Sequence, residues 1–290
     1  VRKTCLDSLY EIAKADSRVF FVGSDLGMGT LKQFKAEMPD RFFMEGVSEA
    51  NLIGMSAGLA LEGKIVYANT IATFLTRRCF EQVCLDLCLH NANVRLIGNG
   101  GGLVYAPLGP THLATPADAT EMRRMMPLTV DHPGPIYIRL GKGGDPIVTR
   151  DEPFVIGKIF PMGKGKDALL ITTGVMLKRA LDAAEALSAQ GVEATILHCP
   201  TVKPLDDAAI REFAAQAPVI VTVEEHTIVG GLGSAVAEII CEAGFRNAKR
   251  FRRIGIPDVF PDQYGSQDSL LARYQITAGR IAATVLELIH

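Results

Sequence analysis

The stretch of this chain best placed to do chemistry is Phe43-Met44-Glu45-Gly46-Val47-Ser48-Glu49-Ala50-Asn51-Leu52-Ile53-Gly54-Met55. Ser48 reads as the cap of a helix, with Glu49 in its first turn. Taken alone, Glu49 does no more than complement the helix dipole. The residues that follow are apolar, with Leu52, Ile53, Met55, Ala57, Leu59 and Ala60. A helix that is apolar on most sides is buried, and its first-turn carboxyl is then buried with it. Desolvation favours the neutral acid and the helix N-terminus favours the carboxylate. A carboxylic acid that handles protons near neutral pH therefore needs desolvation, or an anionic neighbour, to win.

Arginines and histidines come next. Arg139 ends the strand-like run Pro135-Ile136-Tyr137-Ile138, and a planar guanidinium at a sheet-edge crevice suits phosphate or sulfonate oxygens. Arg77 and Arg78 stand in tandem, a pattern that ordinarily makes a solvated face. His112 lies in the turn Gly109-Pro110-Thr111-His112. His90, His132, His198 and His290 read as structural, and His226 as structural or interfacial. Cys79, Cys84 and Cys88 could share a helix, but no CxxC occurs anywhere. They read as reduced, buried helix cysteines rather than zinc ligands, as do Cys5, Cys199 and Cys241.

Two glycine loops invite a nucleotide reading and do not complete it. Gly27-Met28-Gly29 has Lys32 where a dinucleotide loop needs its third glycine, and Gly231-Leu232-Gly233 has Val236 there. No GxxxxGK[ST] occurs. The run Gly98-Asn99-Gly100-Gly101-Gly102 permits a close approach without the spacing of either phosphate motif.

These residues need elements to hold them, and the chain alternates short apolar runs with amphipathic segments. The pattern predicts strands at 19–23, 65–70, 94–98 and 135–140, with helices at 3–15, 48–62 and 75–90. A cluster of breakers at 141–146, followed by Asp151-Glu152-Pro153, marks a boundary. Beyond it the alternation restarts, with strands at 168–172, 193–198, 218–224 and 250–254. Helices are predicted at 176–190, 206–216, 233–243 and 277–289, the second and last capped by Asp206 and Thr277. The fold class is α/β: two tandem domains, 1–152 and 153–290, each a mostly parallel sheet flanked by helices.

Composition agrees with this. At 290 residues, 48% of them hydrophobic, the chain can bury two cores and is too apolar for disorder. Thirty basic against 32 acidic side chains leave a net charge of −2, which argues against nucleic acid as a partner. No apolar run reaches the roughly 18 residues of a membrane helix. The expectation is a soluble cytoplasmic protein without a secretory segment.

The segments Glu45-Gly46-Val47-Ser48-Glu49-Ala50-Asn51, Thr73-Phe74-Leu75-Thr76-Arg77-Arg78 and Gly109-Pro110-Thr111-His112, in this order, resemble the C-terminal half of the transketolases. The closest likeness is to the split transketolases, in which two chains share the enzyme, and it covers essentially the whole chain. The resemblance implies a pyrimidine-binding domain followed by the transketolase C-terminal domain. It implies thiamine diphosphate as cofactor, with transfer of a two-carbon ketol unit from a phosphorylated or otherwise anionic ketose to an aldose. Within it, Glu49 matches the glutamate that hydrogen-bonds the ring nitrogen of the aminopyrimidine, and Phe74 the aromatic on which that ring stacks. His112 matches the histidine that hydrogen-bonds the donor sugar near the reacting carbon. Arg77 is assigned to the cofactor, and Arg139 to the substrate's anionic end.

Departures from the family carry information too. Leu108 stands where transketolases carry an acidic residue, and the Asn99-to-Gly102 run replaces a histidine, which implies a modified donor. Ala114 is followed directly by Thr115 where the family places a loop and helix, so a segment is expected to be missing there. The family's GDG…N motif for Mg²⁺ (or Ca²⁺) and diphosphate does not occur. The resemblance therefore implies a separate N-terminal subunit that supplies that site, in an α2β2 assembly, with no metal ligands from this chain. The alternatives are a β subunit of a 2-oxo-acid dehydrogenase, which shares the architecture, and a non-catalytic subunit of the same fold.

Overall fold

The computed structural model describes residues 1–25, 29, 31–102, 116–141, 144–259, 263 and 265–290. They divide into two units, Val1–Gly101 with Asp118–Phe154, and Gly102–Ala117 with Val155–His290.

In the first unit, α1 (Arg2–Ala15), β1 (Val19–Gly23), α2 (Lys32–Glu37) and β2 (Phe42–Met44) lead into α3 (Glu49–Leu61) and β3 (Ile65–Ile71). Then come α4 (Ala72–Arg77), α5 (Phe80–Gln82), a π-helical turn Val83–Leu89, β4 (Val94–Asn99), α6 (Ala119–Leu128) and β5 (Ile136–Leu140). The strands form a parallel sheet in the order β2-β1-β3-β4-β5. Alternation along each strand sends Val22, Val66, Ala68, Val94 and Leu96 to one face, where they pack on Leu52, Ile53 and Ala57 of α3, Leu75 of α4 and Leu87. The opposite face carries Tyr67 and Arg95, both buried. The Tyr67 hydroxyl meets the Thr129 hydroxyl at 2.7 Å. The Arg95 guanidinium donates to the carbonyl oxygens of Thr129, Val130, His132 and Gly134, fixing the turn before β5.

In the second unit, β6 (Phe160–Met162), β7 (Ala168–Thr172), α7 (Met176–Ser188), β8 (Ala194–His198) and α8 (Asp207–Gln216) precede β9 (Val219–Thr227). They are followed by α9 (Leu232–Glu242), β10 (Arg250–Ile256), α10 (Gln267–Arg273) and α11 (Ala278–Ile289). The order is β10-β9-β7-β8-β6, parallel except for β6, which runs antiparallel to β8. Leu169, Ile171, Leu197 and Ile220 pack on Ile210 and Ala214 of α8 and on Leu232 and Val236 of α9. Asp206 and Thr277 accept the expected capping bonds, from the amides of Ala209 and Arg280.

The α/β class with two mostly parallel sheets is as read from the sequence; three local expectations need correction. Ser48 precedes α3, but its hydroxyl donates to the Glu45 carbonyl at 2.8 Å instead of capping the helix. The helix expected over 75–90 is interrupted: α4 starts at Ala72 and stops at Arg77, Cys79 is non-helical at φ −132° and ψ 28°, and α5 begins at Phe80. Cys88 and Cys241 are exposed, so not all cysteines are buried, although all six are free thiols. The expected gap between Ala114 and Thr115 lies outside the described residues. Among the described residues no helix is long and apolar enough to cross a membrane.

Candidate functional site

Glu49 opens α3 and is only 4% exposed. The cause is its helical spacing. Leu52 and Ile53, three and four residues on, are wholly buried against the sheet, and the first-turn acid shares their face.

Phe74 is placed by an abrupt junction. β3 passes straight into α4, so the first turn of α4 stands at the C-terminal edge of the parallel sheet, where ligand sites of α/β folds form. Thr73 and Leu75 are buried, and Phe74 is half-buried. The helix then stops, with the Arg78 amide bonding the Phe74 carbonyl at 2.9 Å. The four-residue spacing lays the Arg78 side chain back along α4. Its guanidinium carbon lies 3.6 Å from the centroid of the Phe74 ring. The same group reaches α3, with Nη1 3.4 Å from Glu49 Oε2. One planar group thus joins the acid and the aromatic.

Arg77 is exposed at the end of α4. Tandem arginines read as one solvated face, and the structure separates them: Arg78 turns inward to Glu49 and Phe74. Sequence reasoning missed Arg78, and the signal that could have found it was its four-residue distance from Phe74.

Arg139 is wholly buried on β5, registered against Gly98 of β4. Tyr137, two residues earlier and on the same face, packs against the α3 side of the sheet, so Arg139 points to that side as well. The glycine run explains how such large side chains fit. A Cβ on Gly98 would stand 2.5 Å from the Tyr137 hydroxyl oxygen, and one on Gly101 would lie inside the Arg139 side chain, against Nε, Cγ and Cδ. The close approach that these glycines permit is to Tyr137 and Arg139. His112 and Leu108 fall outside the described residues.

Glu224 and His226 of the second unit are also buried. The Gly233 amide at the start of α9 donates to Glu224 Oε1 at 3.1 Å, and His226 Nδ1 is 3.1 Å from Oε2. A carboxylate thus fills the helix end where a dinucleotide would place its phosphates. Among the described residues no group of three or more His, Cys, Asp or Glu is placed to hold a metal.

Residues 1–144 match the transketolase pyrimidine-binding domain and residues 157–281 the transketolase C-terminal domain. The chain is 34% identical to the 6-deoxy-6-sulfo-D-fructose transketolase subunit SqwH of Clostridium sp. (strain MSTE9), over 99% of this chain and 94% of that one. It is 35% identical to an apulose-4-phosphate transketolase subunit of Phocaeicola vulgatus, over 99% and 97%. A solved structure described as a split gene transketolase, inactive beta4 tetramer, superposes with a TM-score of 0.88 at 32% identity, covering 99% of this chain and 97% of that chain. This chain therefore belongs to the transketolase family and has the function of a thiamine-diphosphate-dependent transketolase subunit, moving a ketol unit from one sugar to another.

Proposed function

We propose that Glu49 and Phe74 form the pyrimidine-binding side of the cofactor site. The observation that carries this reading is the position of Arg78. Its guanidinium is flat, carries N–H donors, rests on Phe74 and reaches Glu49. It stands in for a flat nitrogen-bearing ring, and it supports the fit of such a ring between this aromatic face and this carboxyl. Thiamine diphosphate supplies the carbanion chemistry, and the chain's residues orient it and provide the electrostatics. Glu49 holds a proton at a ring nitrogen, in a setting that the sheet and α3 keep from water. Phe74 fixes the plane of the ring.

Further roles belong to the same reading. His112 hydrogen-bonds the donor sugar near the reacting carbon and stabilises developing charge. Arg77 lies toward the cofactor, and Arg139 takes the anionic end of the substrate. The relatives' names support an anionic sugar, since one acts on a sulfo-sugar and another on a sugar phosphate. The diphosphate and its Mg²⁺ (or Ca²⁺) are assigned to a separate N-terminal subunit in an α2β2 complex. The likeness to a split gene transketolase supports that division. Two domains meeting at 152/153 are part of the proposal, supported by the matched spans 1–144 and 157–281. Six free thiols accord with the cytoplasm as its compartment.

The test is Glu49→Gln in the chain combined with its partner subunit. The amide keeps the shape and removes the ionisable proton. Ketol transfer should fall by about 10²–10⁴-fold, the usual worth of a general acid or base, with the circular dichroism spectrum unchanged and the melting temperature lowered slightly at most. Undiminished turnover would remove Glu49 from the chemistry.

A further inference from the structure

We infer that Arg78 is a displaceable placeholder for the cofactor's pyrimidine and therefore sets how tightly and how fast the cofactor binds. The inference rests on the proposed roles of Glu49 and Phe74. A guanidinium centred 3.6 Å from the Phe74 centroid leaves no room for a second flat group on that face, since stacked groups need about that same separation. Its other end holds Oε2 of Glu49 at 3.4 Å. The arrangement of Arg78 seen here and a ring stacked on this face in reach of Glu49 exclude each other, so the ring enters only as Arg78 leaves.

The physical chemistry makes leaving easy and staying useful. Arg78 is 49% exposed while Glu49 is 4% exposed, so the arginine can swing into water and the acid cannot. Arg78 follows the last residue of α4 and precedes Cys79, whose backbone is non-helical, so its side chain is not locked in a packed helix face. While it stays, it neutralises a buried carboxylate and covers an aromatic face, both of which are otherwise costly to keep. A stacked cation at an exposed site and a half-exposed ion pair are each weak. The tax on cofactor affinity is correspondingly modest.

The experiment measures binding rather than turnover. Thiamine diphosphate with Mg²⁺ is titrated into the complex of the chain with its partner subunit, and association is followed by stopped flow. Arg78→Ala should bind about fivefold tighter, the combined size of the two weak contacts, with the gain in the association rate. Arg78→Lys keeps the charge without the flat fork and should fall between wild type and Ala. In the full chain alone, with no cofactor added, Arg78→Ala should lower the melting temperature slightly, and this loss should shrink in a Glu49→Gln background, where only the stack on Phe74 is left to lose. Unchanged or weaker cofactor binding by Arg78→Ala overturns the inference. Phe74→Ala is the control for the underlying reading. If it also leaves the dissociation constant unchanged, the pyrimidine lies elsewhere; if it weakens binding while Arg78→Ala does nothing, only the placeholder role fails.

Discussion

At the scale of single residues, the site depends as much on what is absent at a Cβ as on charged groups. Arg139 can be wholly buried beside β4 only because Gly101 carries no side chain. Gly101→Ala places a methyl against Nε, Cγ and Cδ of Arg139, the inner part of a buried side chain that cannot simply rotate away. It should destabilise the protein by about 1–3 kcal/mol, as overpacking does. If Arg139 holds the substrate's anionic end, KM for an anionic donor should rise more than kcat falls. Gly98→Ala is the contrast, because it meets the tip of Tyr137 and should cost stability with little change in KM. Thermal unfolding and donor-dependent kinetics of the two variants check this, and equal KM values would remove Arg139 from substrate binding. Sequence identified the strand-end arginine and the glycine run separately. It had no means of pairing them, because β4 and β5 meet only through a sheet register.

At the scale of elements, Asp118 ties a helix to a distant stretch of chain. Its carboxylate caps α6 through the amides of Thr120 and Glu121 and also accepts from the amides of Val148 and Thr149 and the Thr149 hydroxyl. Burial alone would raise its pKa. The hydrogen bonds from Glu121, Thr149 and Val148 outweigh that and hold it below the ordinary carboxylate value. A carboxyl lowered in the folded state contributes stability fully above its unfolded pKa of about 4, and loses it as pH falls through the folded value. Asp118→Asn keeps the cap acceptor Oδ1 but puts an NH₂ donor in place of Oδ2, which can accept from neither the Val148 nor the Thr149 amide. We expect it to cost about 2 kcal/mol at pH 7 and to open 146–150 to proteases. The gap from wild type should start to narrow as pH falls below about 4 and close only below the lowered folded value, where the wild-type carboxylate is itself protonated. Chemical denaturation at several pH values measures this, and a gap that stays constant with pH would contradict it.

Elements were legible in proportion to their length and periodicity. β1 and β7 match the predicted bounds, and β3, β4, β5, β8, α1, α3 and α8 match within a residue or two. β2 and β6 have three residues each, too few for an alternation to show. α6 was hidden by Pro127 in its last turn and by arginines among its methionines. The break after Arg77 is invisible in the sequence because apolar residues recur at helical spacing across it, at Leu75, Cys79, Val83 and Leu87. That break matters for the site, since it frees Arg78 to reach Glu49.

At the scale of the whole molecule, the reading makes this chain half of a catalyst. In the first unit the acid and the aromatic sit at the edge of a parallel sheet, and Phe74 and Arg78 are accessible from outside it. The second unit ends its Gly-rich turn on a carboxylate, an unsuitable neighbour for a diphosphate. A cofactor whose ring rests on Phe74 then relies on another surface for its charged tail, and the proposal gives that surface to the N-terminal subunit. The solved relative described as an inactive beta4 tetramer fits such a division. We expect the purified chain to be folded, with no ketol transfer in the presence of thiamine diphosphate and Mg²⁺. Adding the partner subunit should restore transfer, saturating at one partner per chain, and light scattering should show a mixed complex forming. Full turnover by the chain alone, unchanged on adding the partner, would mean that the diphosphate and metal are held within these 290 residues after all.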